Sequence, residues 1–278
     1  MVLSPVIGYH YTQDDRKSKP ATRKKKGNNV KNYYEKELLI NSTVADRACV
    51  MGVYQATLLI QDAMTEFFHQ YGCDAVRLSK SHNVVWAVAR TKIRFDRHPF
   101  WMERVRVRAF PVKLTPIAVH LNVLVETLEG EPLIRCRQEL CAIDVADHSL
   151  RRVDSTPFPL DMGVSDPVLP DPCRRMKLDL GEEKKVLSHT VRTTDTDMNH
   201  HTNNAAYIRL VCDCLPSDFW DRKQIREFDV QYVNESVEGE TLDAYLDLEE
   251  DAGAVQMKRG DKTLIKSYFL LGPAVSLL

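Results

Sequence analysis

A short polar segment near residue 200 carries the side chains with the clearest catalytic potential. Asp197, Asn199 and His201 stand two residues apart within DTDMNHHTNN, residues 195–204. A carboxylate and an imidazole can move a proton, and an amide can hold a carbonyl oxygen. If residues 197–201 are extended or loosely curled, side chains at i, i+2 and i+4 leave the backbone on one side. We therefore expect a non-helical segment that directs all three groups into one site.

The elements that must position this segment occur twice along the chain. In the first half, a short strand precedes a helix whose apolar side chains follow helical spacing, and long strands with alternating apolar residues come after it. In the second half, a short strand, the polar segment, an apolar helix and four more strands follow the same plan. Antiparallel strands that bury one face can wrap around a helix. The pattern predicts an α+β fold, a tandem (double) hotdog in which long antiparallel sheets each wrap around a central helix.

Composition divides the chain into four regions. Residues 1–32 hold eight Lys/Arg against two Asp, which predicts a basic and disordered arm. Residues 33–153 form the N-terminal hotdog, which is free to bind substrate. Residues 154–185 contain five of the thirteen prolines, which indicates a linker draped over a surface. Residues 186–278 form the C-terminal hotdog, which carries the polar segment.

The two halves differ where chemistry is possible. Residues 93–105 align with residues 230–242, and this alignment places His98 opposite Glu235. At the positions of the polar segment the first half has Asp46, Ala48 and Val50. Only the second half therefore combines an acid, an amide and an imidazole. We expect catalysis in the second half and binding in the first.

With these residues in view, the chain resembles the acyl-[acyl-carrier-protein] thioesterases of plant plastids and bacteria. Those are double-hotdog enzymes that release fatty acids from carrier protein, and the likeness runs over about residues 33–271. It rests on the D-x-N-x-H-x-N-N motif and on a glutamate about 34 residues beyond its histidine. The resemblance implies four catalytic residues: Asp197, Asn199, His201 and Glu235. Several family members carry a cysteine after that glutamate, whereas this chain has Ser236, so a thiolate mechanism at this position is excluded.

The chemistry of thioester hydrolysis leaves the choice of base open. Either Asp197 or Glu235 would activate water, and direct attack by Asp197 to form an anhydride is a competing route. His201 would share or relay the proton, because an ordinary histidine pKa of ~6.5 suits neutral pH. The Asn199 amide would donate to the thioester oxygen or orient the water. Backbone N–H groups at the start of the following helix would complete the oxyanion site.

The substrate itself would need a dry cavity and a docking surface. The candidates for an acyl-chain lining are Leu59, Ile60, Met64, Phe67, Trp86 and Val88. Plain core packing is the alternative role for each of them. Arg104, Arg106 and Arg108 alternate along one strand face and could attract an acidic acyl-carrier protein. An ordinary solvated sheet face is the alternative for these arginines.

Composition narrows the class and setting of the protein. No apolar run approaches the ~18–20 residues that a membrane span needs, and the seven scattered cysteines fit a reducing compartment. We expect a bacterial cytoplasmic protein, because the basic arm contains Asp14 and Asp15 and little serine, unlike a plastid transit peptide. We expect no cofactor, no metal and no nucleic-acid partner. Because fused halves already form a pseudo-dimer, the chain would act as a monomer or homodimer.

Three other functions remain open at this stage. The first is hydrolysis of acyl-CoA rather than of acyl-carrier thioesters. The second is a hotdog hydratase or dehydratase that acts on 3-hydroxyacyl or enoyl thioesters. The third is a non-catalytic acyl-binding module. The hotdog plan is shared by all of these classes, whereas the order Asp-x-Asn-x-His with a distant glutamate favours the thioesterase.

Overall fold

The computed structural model describes residues 32–274 of the chain. The basic arm assigned to residues 1–32 lies, except for its last residue, outside the described residues. Within the described part, the helices are α1 (Val53–Gln70), α2 (Ala75–His82) and α3 (Asn204–Asp213). The strands are β1 (Tyr34–Leu39), β2 (Val84–Phe95), β3 (Arg104–Leu114), β4 (Val119–Thr127), β5 (Pro132–Asp144), β6 (Leu150–Arg151), β7 (Lys185–Thr190), β8 (Lys223–Tyr232), β9 (Thr241–Leu248), β10 (Ala252–Arg259) and β11 (Lys262–Pro273).

A single antiparallel sheet runs through both halves. Its strand order is β1-β3-β4-β5-β2-β8-β11-β10-β9-β7, with β6 paired to β5. The halves join where β2 pairs with β8, which sets Ile93 opposite Phe228. Helices α1 and α3 contact each other, and their buried side chains share one apolar core with the strands. The chain thus has the predicted α+β architecture.

Sequence spacing accounts for helix α1 and its end. Its buried side chains recur every three or four residues, at Ala56, Ile60, Ala63 and Phe67. The helix stops before Gly72, whose φ of +69° is a left-handed conformation that glycine adopts without strain. The N–H of Cys73 then donates to the carbonyl of Phe68 at 3.0 Å, which closes the last turn. Gly72 therefore ends the helix, the position at which its apolar spacing also stops.

Residues 168–180 of the proline-rich stretch 154–185 lie along the outer face of the sheet, whereas Phe158 near its start packs into the apolar core. Its backbone is held by outward-facing side chains: the N–H of Met176 donates to Gln231 Oε1 at 3.1 Å, and the N–H of Leu180 donates to Gln256 Oε1 at 2.7 Å. This cover buries polar side chains on a face that would otherwise contact water. Among residues 32–274, no helix combines the length and the apolar character needed to cross a membrane.

Candidate active site

The polar segment forms a closed turn at the start of the second half. An antiparallel bridge joins Thr196 to Thr202 at its base. Within the turn, the N–H of Asp197 donates to the carbonyl of His201 at 2.9 Å, and the N–H of Asn199 donates to Asp197 Oδ1 at 2.8 Å. The segment is therefore non-helical, as expected, and of the two forms considered it takes the curled rather than the extended one. Local hydrogen bonds of aspartate, rather than strand alternation, set the path of the backbone.

His201 and Glu235 meet across this turn. Glu235 follows the end of β8, and a bridge between His201 and Val237 draws the two segments together. The Nδ1 atom of His201 lies 3.2 Å from Oε2 of Glu235, and the two side chains are 35% and 50% exposed. A neutral imidazole that donates from Nδ1 keeps the lone pair of Nε2 free to accept a proton. The pair therefore has the geometry of a carboxylate-supported imidazole within reach of solvent, and its catalytic role stays a prediction.

Asp197 and Asn199 share the turn with His201 but keep unused polar atoms. Oδ1 of Asp197 accepts the turn hydrogen bond, whereas Oδ2 has no hydrogen-bond partner among residues 32–274. The exposed side-chain amide of Asn199 likewise has no partner in the described part of the chain. The structure thus brings His201 and Glu235 into direct contact and leaves the other two predicted residues with atoms available to a substrate. Their catalytic roles stay predictions.

The start of helix α3 is capped by a side chain. Asn203 Oδ1 accepts the N–H of Ala205 at 2.8 Å, and the carbonyl of Asn203 accepts the N–H of Ala206 at 2.9 Å. Asn203 is thus an N-cap, a role typical of asparagine. Two of the amides at the helix start are therefore occupied, whereas the N–H of Asn204 has no acceptor among residues 32–274. The exposed Asn199 side-chain amide is a second donor available in this region.

Three buried hydroxyl groups lie behind Glu235. Ser236 is fully buried, and its Oγ lies 2.7 Å from Thr202 Oγ1 and 2.6 Å from the phenol oxygen of Tyr207. Burial raises the pKa of the Tyr207 phenol above its usual 10.0, although the hydrogen bond with Ser236 opposes this shift. No carboxylate or imidazole of residues 32–274 forms a hydrogen bond with Ser236. The serine therefore ties the end of β8 to α3 and lacks the base that a nucleophile needs.

Removal of this hydroxyl should affect stability rather than chemistry. We expect Ser236→Ala to lower the free energy of unfolding by about 1–3 kcal/mol, because buried hydroxyl partners lose a hydrogen bond. The kcat for thioester hydrolysis should stay within about 3-fold of wild type, since Ser236 makes no bond to the reacting atoms. Urea unfolding and steady-state kinetics measure the two effects, with the exposed Ser81→Ala as control. A large loss of kcat at unchanged stability would restore serine as the nucleophile.

Asp195 anchors the turn from behind. Its Oδ2 lies 2.7 Å from Nε2 of His189 and accepts the N–H of Arg192 at 2.8 Å, while its Oδ1 accepts from the Arg209 guanidinium. Its carbonyl accepts the N–H of Asn203 at 2.8 Å. Burial favours the neutral acid, but these hydrogen bonds outweigh it and hold the pKa of Asp195 below the usual 3.8. Asp195 opens the polar segment 195–204, but no pattern in the sequence predicts this anchoring role.

The lowered pKa of Asp195 predicts a pH-dependent contribution to stability. We expect Asp195→Asn to reduce the free energy of unfolding at neutral pH by about 1.5–3 kcal/mol, the range for hydrogen bonds to a charged group. The carboxylate's contribution is complete above its unfolded-state pKa and is lost as the pH falls through the lower native pKa. Urea unfolding of both proteins at neutral and acidic pH measures the gap. A gap of equal size near pH ~3 would contradict this account.

The first half builds the same turn around Asp46, without the amide and the imidazole of the second half. The N–H of Asp46 donates to the carbonyl of Val50 at 2.7 Å, and the N–H of Ala48 donates to Asp46 Oδ1 at 2.8 Å. Cys49 has φ +58° at the position where His200 has φ +61°. The turn is therefore a feature of the fold that both halves share. The second half differs by its amide and its imidazole.

His98 occupies the first-half position that corresponds to Glu235. It is buried, and its Nδ1 and Nε2 lie 2.9 Å and 3.1 Å from the carbonyl oxygens of Met51 and Ile225. Burial lowers the pKa of His98 below its usual 6.5, although both carbonyl contacts oppose that shift. A cavity of about 210 Å³ lies beside it, with Asp46 in its wall. His98 thus connects the first half to β8 and offers no free nitrogen for proton transfer.

The side chains predicted to line an acyl-chain cavity lie inside the first half. Ile60 and Phe67 are fully buried. The other four pack against the same core with partial exposure: Leu59, Met64, Trp86 and Val88. Trp86 stacks on Phe68 with ring centroids 4.5 Å apart, and Phe158 packs against both rings. The structure places these side chains in one interior, and a role in holding an acyl chain stays a prediction.

The arginines predicted to dock a carrier protein lie on β3 and differ in their surroundings. Arg106 and Arg108 lie 3.7 Å and 3.2 Å from the carboxylate of Glu126, and Arg106 also lies 3.2 Å from Glu37. Arg104 is exposed and has no ion-pair partner within residues 32–274. The positive charge of this face is therefore partly balanced by acids. Arg104 carries the charge most available to a partner.

Comparisons with known proteins agree with the observed fold. The chain matches the profile of the acyl-ACP thioesterase N-terminal domain over residues 31–156 and that of the C-terminal domain over residues 179–264. An acyl-ACP thioesterase from Bacteroides thetaiotaomicron superposes with a TM-score of 0.77 at 19% identity, covering 87% of this chain and 98% of that one. A 12:0-ACP thioesterase from Umbellularia californica gives 0.78 at 18% identity, with coverage of 87% and 98%. The fold is therefore the predicted double hotdog.

Within that class, the two profile matches assign the family. The chain belongs to the acyl-ACP thioesterase family. Among curated relatives, the palmitoyl-acyl carrier protein thioesterase of Arabidopsis thaliana is 25% identical over 162 residues, which are 55% of this chain and 39% of that protein. The oleoyl-acyl carrier protein thioesterase 2 of the same plant is 21% identical over 178 residues, with coverage of 58% and 47%. The matched regions thus span less than half the length of these relatives.

Proposed function

We propose that this chain hydrolyses acyl-[acyl-carrier-protein] thioesters to free fatty acid and carrier protein, as a step of fatty acid biosynthesis. The observation that carries the proposal is the 3.2 Å contact between His201 Nδ1 and Glu235 Oε2, in the half that also holds the Asp197 and Asn199 side chains. Hydrolysis of a thioester needs a base for water and a donor for the developing oxyanion. Membership of the acyl-ACP thioesterase family supports this use of the site.

In the proposed mechanism, water is the nucleophile. His201 Nε2 takes a proton from water as the oxygen attacks the thioester carbon, and the Glu235 carboxylate stabilises the imidazolium that forms. The Asn199 amide donates to the oxyanion of the tetrahedral intermediate. The C–S bond then breaks with its electrons on sulfur, and His201 returns the proton to the leaving thiolate. The products are a carboxylic acid and the thiol of the carrier, and no cofactor is required.

We infer the base from the contacts that each candidate group makes. Glu235 faces an imidazole and Asp197 uses one oxygen for its turn, so His201 is the group with a free lone pair and an adjacent charge. We therefore assign the proton transfer to His201 and the support of its positive form to Glu235. Asp197 keeps Oδ2 free to orient the attacking water. This assignment replaces direct activation of water by Glu235.

The carrier protein would dock at the β3 arginines. Charge reversal at Arg104 and Arg108 should raise KM for an acyl-carrier substrate by about 10-fold and leave kcat unchanged, because docking charges act on encounter. The KM for the matching acyl-CoA should not change, since CoA lacks the acidic protein surface. Arg222→Glu in the second half is the control for a general change of charge. An unchanged KM for the carrier substrate would remove this docking surface.

The thiols bear on the cellular compartment of the enzyme, and the sheet bears on its oligomeric state. All seven cysteines are free thiols, and burial raises the pKa of Cys73 to about 11, which keeps that thiol unreactive. A reducing compartment such as a bacterial cytoplasm suits such thiols. Since β2 and β8 pair within one chain, we propose that a monomer contains the complete site.

The test is release of free thiol from palmitoyl- and oleoyl-carrier protein by the purified full chain. We expect hydrolysis with a higher kcat/KM for carrier substrates than for the matching CoA thioesters. A preference for CoA would reassign the carrier. Conversion of enoyl or 3-hydroxyacyl thioesters without thiol release would indicate a hydratase or dehydratase. Binding of acyl chains without any turnover would indicate a non-catalytic module.

A further inference from the structure

A second imidazole, contributed by the first half, faces the same carboxylate as His201. His148 Nδ1 lies 3.4 Å from Oε1 of Glu235, while His201 Nδ1 lies 3.2 Å from Oε2. One carboxylate thus lies between two imidazoles, and each half of the chain supplies one. We propose that His148 is a positioning residue for thioester hydrolysis, which acts on His201 through Glu235. This inference rests on the proposed function and extends its site into the first half.

The turn that presents His148 is built around a buried carboxylate. Asp144, which ends β5, is 3% exposed. Its Oδ1 accepts the N–H of Ala146 at 2.8 Å, and its Oδ2 accepts from Arg151 Nε at 2.9 Å. The N–H of His148 donates to the Asp144 carbonyl at 3.1 Å, and Asn83 Nδ2 donates to Asp144 Oδ1 at 3.0 Å. The imidazole is therefore presented by a turn with a defined set of hydrogen bonds.

The backbone at His148 is unfavourable for histidine. Its φ of +57° is in the left-handed region, which costs a residue with a Cβ roughly 1–2 kcal/mol and favours glycine or asparagine. The turn alone would thus be more stable with one of those residues. A strained residue that is held by its surroundings and whose side chain reaches a reactive group indicates a role for that side chain.

The chemistry of the three groups gives His148 its role. When Nδ1 of His148 carries a proton, it donates a charge-assisted hydrogen bond to Oε1 of Glu235. Glu235 is half exposed, so without this bond its carboxylate would be free to rotate toward water. With Oε1 held, Oε2 stays directed at His201 and supports the imidazolium formed during the reaction. His148 touches neither substrate nor the reacting atoms in this account.

Two substitutions separate the imidazole from the backbone strain. His148→Gly removes the ring and relieves the left-handed conformation, so the melting temperature should not fall. His148→Asn also suits that conformation and restores a donor near the position of Nδ1. For palmitoyl-carrier protein, we expect His148→Gly to lower kcat on the order of 10-fold with KM unchanged, the equivalent of one charge-assisted hydrogen bond. His148→Asn should recover most of that loss, and the exposed His82→Ala should behave as wild type.

A double-mutant cycle with Glu235→Ala tests the route of the effect. If His148 acts through Glu235, His148→Gly should cause no further loss of kcat once the carboxylate is gone. An equal loss in both backgrounds would overturn the proposal, because His148 would then act without Glu235. Wild-type kcat in His148→Gly would also overturn it. A wild-type chain that releases no thiol would instead refute the proposed function, which is a distinguishable result.

Discussion

Replacement of His201 by asparagine should lower kcat for acyl-carrier thioester hydrolysis by about 10²- to 10⁴-fold, the range for loss of a general base. Asparagine keeps a donor near the position of Nδ1, so the contact with Glu235 can survive. It has no atom at the position of Nε2, where the proposed base accepts its proton. KM should change little, because the imidazole acts on a proton in the transition state rather than on the acyl chain.

The adjacent histidine provides a matched control. His200 is exposed, has φ +61° and forms no side-chain hydrogen bond within residues 32–274. Asparagine tolerates that conformation, so His200→Asn should keep kcat within about 3-fold of wild type. Kinetics of His201→Asn, His200→Asn and wild type under one condition isolate the role of Nε2. If His201→Asn keeps more than a tenth of wild-type kcat, the base is a carboxylate instead.

The internal duplication was predictable because short segments of the two halves can be aligned with each other. Alignment of residues 93–105 with 230–242 places His98 opposite Glu235, and the bridges Val50–Phe100 and His201–Val237 confirm that register. Helix α1 was predictable for a similar reason, since its apolar spacing and Gly72 are adjacent in the chain. Both features were predictable because the residues that determine them follow a short period in the sequence or recur at a fixed offset between the two halves.

Features that depend on distant residues were not predictable in this way. The contact of His148 with Glu235 joins two halves of the chain, and no local pattern marks either residue as a partner of the other. Helix α2 could not be predicted from apolar spacing, because it is short and polar and Leu78 is its only buried residue. The polar segment was expected to be non-helical, either extended or loosely curled, and the spacing of its residues could not choose between these forms. The N–H of Asn199 donates to Asp197 Oδ1, and this bond helps to close a turn.

The burial of polar side chains on the outer face of the sheet was also not predictable from the sequence. Alternation along β4 places Asn122 on the face that a solvated sheet would expose, yet Asn122 is fully buried. Its cross-strand neighbour is Arg137, whose guanidinium donates to the carbonyl of Asp171 at 3.4 Å. The covering stretch 154–185 therefore changes which polar residues are solvated. A binary pattern predicts the two faces of a strand but cannot predict what covers them.

The turns of the two halves separate a structural role of Asp197 from a catalytic one. Asp46 forms the same turn through one carboxylate oxygen, in a turn that has Ala48 and Val50 where the second half has Asn199 and His201. The turn therefore needs a single acceptor oxygen, and an asparagine side chain can supply one. What asparagine cannot supply is the charge on the second oxygen. Oδ2 of Asp197 has no partner among residues 32–274, which leaves this oxygen available to the water of the proposed mechanism.

Asp197→Asn should thus lower kcat by at least about 10²-fold, the loss expected when a group that handles the attacking water is neutralised, while the melting temperature stays that of wild type. Asp197→Ala removes the acceptor as well, so it should lose kcat and also destabilise the turn. Asp46→Asn in the first half is the matched control, because it makes the same change in the equivalent turn, away from His201 and Glu235. Thermal unfolding and single-turnover thiol release separate the two roles. Full activity in Asp197→Asn would assign this carboxylate to the turn alone and leave His201 and Glu235 as the whole proton-transfer machinery.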